Sequence, residues 1–175
     1  MKTLPGIGLF AILILAGCAS GDVGMVCPIS GGETVTIVLT PKGPTPAEND
    51  DFKVVESVVS PNIAQKQFVY SFSLLAKTGK APKHVTIDDV SEEKVELLVD
   101  DAAPKLDAKQ VWKQDTPPRT AADPRLAWLY HEGNSPRVYR ITIVTDDGRR
   151  LVMYHLSVFP VFIKTGLRKI LGMAP

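Results

Sequence analysis

The sequence predicts an all-β protein, an antiparallel β-sandwich, on three observations. Apolar and polar residues alternate along several runs, the two-residue period of half-buried strands. An Asp-Gly pair separates two such runs, which is the mark of a tight hairpin. No apolar pattern with a helical period appears before residue 161. An immunoglobulin-like arrangement is one form of this class and a closed barrel another. The cysteine and tryptophan spacing of true immunoglobulin domains is absent, so the term describes architecture alone.

In "ETVTIVLT", Val35, Ile37 and Leu39 fall on one face and Thr34, Thr36, Val38 and Thr40 on the other. The proline-rich stretch 41–50 breaks this strand. "FKVVESVVS", 52–60, is the next, closed by Pro61 because proline cannot donate to a ladder. In "FVYSFSLL" the large residues Phe68, Tyr70, Phe72 and Leu74 share a face against Ser71 and Ser73. Shorter strands are expected at "HVTIDDV" and "KVELLVD", and "LAWLYHE" places Leu126, Trp128 and Tyr130 together.

The hairpin "RVYRITIVTDDGRRLVMYHLSVF" is the clearest element. A two-residue type I′ turn at Asp147-Gly148 suits residues that tolerate positive φ. Its register would pair Ile143 with Val152, Ile141 with Tyr154 and Tyr139 with Leu156 on one face. Arg140 would then oppose His155, and Thr142 oppose Met153, on a mixed face that includes Trp128.

Between these strands, 100–125 reads as a long polar loop with four prolines, and long loops often carry function. Trp112 is its isolated aromatic, either a plug for the core or an anchor for a partner. At the C-terminus Ile163, Leu167, Ile170 and Leu171 have amphipathic helical spacing, with Lys164, Arg168 and Lys169 elsewhere on the wheel. Gly166 weakens that helix by about 1 kcal/mol. The segment would cover a sheet edge or lie on lipid.

The N-terminus supplies an address. After Lys2 no charge occurs until Asp22, and the densest apolar block is 9–15, the layout of a secretory leader. Pro5, Gly6, Gly8 and Gly17 make it a poor spanning helix. Leu15, Ala16, Gly17 and Cys18 resemble the lipobox of bacterial lipoproteins. That resemblance implies acylation of Cys18 and removal of residues 1–17, and Ala19 in place of Asp implies sorting to the outer membrane. The expected organisation is a signal peptide, 1–17, a lipidated tether, 18–33, a β-sandwich, 34–160, and an amphipathic segment, 161–175.

Of the 20 Lys and Arg residues only Lys2 leaves with the leader, so 19 basic residues balance 19 acidic ones and no pull toward nucleic acid is expected. With Cys18 acylated, Cys27 has no partner and should be a buried free thiol. His84, His131 and His155 form no metal-ligand motif. The acidic pairs at 50–51, 88–89, 100–101 and 146–147 read as strand ends and turns rather than a calcium loop. No nucleophile or phosphate-loop motif occurs, so neither an enzyme nor a cofactor beyond the lipid on Cys18 is expected.

These observations point to a lipid-anchored, periplasm-facing scaffold or assembly factor that binds another envelope protein, with Trp112, Arg140 and His155 as candidate contacts. Two alternatives belong to other classes: a periplasmic inhibitor or immunity protein, and a small-ligand or glycan binder on the mixed face.

Overall fold

The computed structural model describes residues 15–16, 22–40, 42–62, 65–120 and 137–157. Among them every regular element is a strand: β1 (Leu15–Ala16), β2 (Val23–Pro28), β3 (Thr34–Thr40), β4 (Gly43–Pro44), β5 (Phe52–Asn62), β6 (Gln67–Ala76), β7 (Pro82–Asp89), β8 (Glu96–Asp101), β9 (Val111–Asp115), β10 (Arg119–Thr120), β11 (Arg137–Thr145) and β12 (Arg150–Ser157). They form three antiparallel sheets, so the described residues are all-β. Sheet A has the order β1-β2-β3-β4. In sheet B, β6 lies between β5 and the interrupted edge made by β9 and β10. Sheet C has the order β12-β11-β7-β8.

Sheets B and C face one another across the main core, an arrangement consistent with a β-sandwich. The period-two face expected for β6 is buried: Phe68, Tyr70, Phe72 and Leu74 are each 3% exposed or less. Tyr139 of β11 meets this row edge-on, with ring centroids 6.2 Å from Tyr70 and 5.2 Å from Phe72. Val85, Ile87, Ile141 and Ile143 complete the opposing layer.

A second cluster lies on the other side of sheet C, because β11 is buried on both faces at one end. Met25, Cys27, Ile37 and Leu39 of sheet A pack there with Val90, Val138 and Leu156. Cys27 is a free thiol with no exposed surface, as its lack of a partner implied, and burial pushes its pKa up to about 11.

Four sequence expectations are corrected. First, the tether is shorter than 18–33, since β2 pairs with β3 from Val23 onward and commits Met25 and Cys27 to a core. Second, Pro61 does not close β5; the strand runs through it to Asn62, with Pro61 opposite Phe68. β5 is an edge strand, where a missing N–H can be tolerated. Third, 100–125 is not one loop, because β9 and β10 lie within it and pair with β6.

The fourth correction concerns the hairpin register. The observed pairs are Ile143 with Leu151, Ile141 with Met153, Tyr139 with His155, Arg140 with Tyr154 and Thr142 with Val152, one residue away from the expectation. The connection is a three-residue loop, Asp146-Asp147-Gly148, inside a bond from Thr145 N to Arg149 O at 3.0 Å. Gly148 alone takes positive φ, +82°, whereas a type I′ turn would require it of Asp147 too. The Asp147 carboxylate instead accepts from the Thr145 hydroxyl and from Arg149 Nε, which closes the longer loop. One residue of slip puts each β12 side chain on the opposite face from the expected one.

The same turn is tied to the start of β5. Arg149 Nη2 donates to Asp51 at 2.8 Å, Thr78 Oγ1 donates to Asp51 at 2.9 Å, and Lys80 lies 3.5 Å from Asp147. The Thr78 hydrogen bond and the Arg149 and Lys80 charges hold the Asp51 carboxyl below its usual range. The leader apart from β1, "LAWLYHE" and the amphipathic segment 161–175 lie outside the described residues.

Candidate functional site

The outer face of sheet C carries the candidate site. Alternation along β11 turns Tyr139, Ile141 and Ile143 toward sheet B, and leaves Val138, Arg140, Thr142 and Val144 on the opposite side. Sheet A covers the Val138 end. Beyond it the register lines up two cross-strand rows: Leu97, Asp88, Arg140 and Tyr154, then Asp100, Thr86, Thr142 and Val152.

At the centre Arg140 donates from Nε at 3.1 Å and from Nη2 at 2.8 Å, both to Asp88 Oδ2. Asp88 is mostly enclosed while the Arg140 side chain keeps 34% of its surface, so the carboxylate orients a guanidinium that still faces solvent. Of the five N–H donors a guanidinium carries, these bonds use two among the described residues. Apolar flanks stand on either side: Leu97 is 54% exposed and Val152 44%. An oriented cation between exposed aliphatic groups is suited to recognising a surface, with the charge fixing register and the aliphatics supplying buried area.

The structure separates the three residues expected to bind a partner. Arg140 is on this face. His155 is not, because its cross-strand partner is Tyr139, which points into the core. His155 Nδ1 is enclosed with no hydrogen-bond partner among the described residues, and desolvation pushes the pKa of the ring down to about 4. The ring is therefore neutral at pH 7, and the expected opposition of Arg140 and His155 is corrected by the one-residue slip.

Trp112 is a core residue, 1% exposed, paired with Leu74 across β9 and β6. Its Nε1 donates to Asp101 Oδ2 at 2.8 Å, bridging the edges of sheets B and C. With its ring inside and its one donor engaged, Trp112 offers a partner no surface; it plugs the core and is not an anchor. Cys18, Trp128 and His131 lie outside the described residues.

Two charged residues expected only to form turns have definite work. Asp88 is the orienting partner of Arg140, and the available signal is its place in step with His84 and Thr86 on the polar side of "HVTIDDV". Asp89 is on the buried side, 3.5 Å from Arg137, which also donates to Glu92 at 2.7 Å. Burial opposes the charge on Arg137, but Asp89 and Glu92 outweigh it and hold its pKa up.

His84 Nε2 and Asp100 Oδ1 are in hydrogen-bond contact further along the outer face. Among the described residues no three His, Cys, Asp or Glu side chains converge on a point that could hold a metal ion. No family model, curated protein or solved structure matches this chain.

Proposed function

We propose that this chain is a lipid-anchored envelope protein whose β-domain docks another protein, as a non-enzymatic scaffold or assembly factor of an outer-membrane or secretion complex. Cys18 carries the lipid, and each acyl methylene buried contributes about 0.8 kcal/mol to anchoring. The domain faces the periplasm from the outer membrane, as Ala19 after the acylated cysteine implies. Its architecture is immunoglobulin-like in the limited sense of two facing antiparallel sheets around an aromatic core, without a bridging disulfide.

The observation that carries this reading is the distance from Cys18 to the fold. Counting the acylated cysteine itself, only the five residues 18–22 lead into β2, whose Met25 and Cys27 are already buried. Five residues reach about 17 Å at full extension. An anchored domain with so little slack works at the membrane surface, and the Arg140 face is its binding surface.

The test is co-purification of the tagged, acylated protein from gently solubilised envelopes, with Arg140→Ala and Leu97→Ser variants beside wild type. A stoichiometric envelope protein lost in both variants and in Cys18→Ser is the expected result. Retention of the same partner by all three would overturn the reading.

A further inference from the structure

The edges of the sheets are not equally protected. β5 is bulged between Val54 and Glu56 and carries Pro61. β8 is bulged opposite Ile87 and Asp88 and carries Glu96, Asp100 and Asp101. β4 is two residues long. Such devices discourage a foreign strand. β2, "VGMVCP", has none of them before Pro28: it carries no charge and runs in unbroken register with β3 from Val23↔Leu39 to Pro28↔Thr34. Among the described residues its outer edge is held only by β1, through Leu15↔Gly24 and Ala16↔Val23.

β1 is part of the lipobox itself. Cleavage before Cys18 would take Leu15 and Ala16 away from the domain and leave β2 as the terminal strand of sheet A. We infer that processing opens the β2 edge, and that it then takes an antiparallel, apolar strand from a membrane-bound partner in the place β1 held. This inference rests on the lipid-anchored reading and adds to it a second docking element, on sheet A rather than on the Arg140 face of sheet C.

Three features select that occupant. The strand seated on the edge in the unprocessed chain is apolar and antiparallel, so the edge accepts that geometry. Gly24 and Val26 lie on the less buried side of β2, with no charge to repel an apolar neighbour. Pro28 lacks an N–H and ends the usable edge, which confines the incoming segment to a few residues. The tether of about 17 Å holds this edge beside the lipid surface, within reach of extended segments that emerge from it. Backbone pairing of this kind supplies affinity, and side chains alternate to supply specificity.

The test begins with the intact mass of the full chain expressed with its own leader in bacterial envelopes. An acylated Cys18 lacking residues 1–17 is expected; a chain that keeps them overturns both the anchor and the opened edge. A photoreactive phenylalanine analogue is then placed at Gly24 and, separately, at Val26 of the acylated protein. Cross-links should map to one membrane protein, with the Val26 site two residues nearer that protein's N-terminus than the Gly24 site, the order an antiparallel strand requires.

A second measurement needs no substitution. The synthetic peptide KKAILILAGKK, which contains residues 11–17, is added to the processed chain and amide exchange is read across β2. A slowing of about tenfold at Val23–Cys27 is expected, with no effect from the same peptide carrying Leu15→Pro. In an acylated chain, cross-links without antiparallel order together with unchanged exchange would overturn the opened edge and leave the anchor standing.

Discussion

The two faces of sheet C are built from alternate residues of the same strands, yet they meet different environments. The inner face, Tyr139, Ile141 and Ile143, is at most 1% exposed and packs on the aromatic row of β6. The outer face holds Arg140 and Asp88 between exposed Leu97 and Val152, with Thr142 itself buried. Stability belongs to the first face and the proposed recognition to the second, because packing requires exclusion of water whereas docking requires side chains that still touch it. Two arginines of β11 make the same point: Arg137 is enclosed by Asp89 and Glu92, while Arg140 keeps a third of its side chain in solvent.

The strongest challenge to that division is Trp112→Ala. Loss of this buried ring should cost about 3–5 kcal/mol in urea unfolding. Partner binding per folded molecule should be unchanged; a selective loss of binding at full stability would return Trp112 to the recognition face. Arg137→Met is the next largest. It strips a buried carboxylate of its counter-charge and should cost about 3 kcal/mol or more, whereas Arg140→Met should cost less than about 1 kcal/mol because its pair is wet. Equal losses at the two arginines would erase the distinction between the faces.

His155 sharpens the comparison through pH. Its ring titrates at about 4 in the fold against 6.5 for a fully solvated imidazole, so between these values the unfolded chain binds a proton that the folded chain does not. Its contribution is therefore intact above pH 6.5 and is lost as pH falls toward 4, by about 2–3 kcal/mol. His155→Gln should flatten that part of the stability profile measured by thermal unfolding across pH 4–7. An unchanged slope would place the ring in water, on the outer face. The smallest effect on stability is expected from Leu97→Ser, within about 0.5 kcal/mol. It should nonetheless weaken partner capture, and a stability loss above about 2 kcal/mol would mean that Leu97 belongs to a core.

Period-two patterning alone is enough to identify the buried rows of β3 and β6, since only one alignment of their large residues gives an apolar face. It also locates the hairpin and Arg140 as a surface candidate, and cysteine counting marks Cys27 as an unpaired buried thiol. The expectation of an anchored domain rests on composition and the lipobox resemblance, which are properties of the chain read residue by residue.

Tertiary structure decided what local patterns leave open. The Thr145 hydroxyl and Arg149 reach the Asp147 carboxylate, and those side-chain bonds lengthen the loop by one residue and send His155 inward. Trp112 looks solitary in sequence because Leu74 and Asp101, its ladder and hydrogen-bond partners, belong to other strands. Val23–Pro28 looks like tether because its short apolar run acquires a core only when sheet A closes over Val138 and Leu156. Alternation records which side of a strand is apolar; register, edge position and the neighbour that covers a face are long-range properties, set when separate strands compete for the same core.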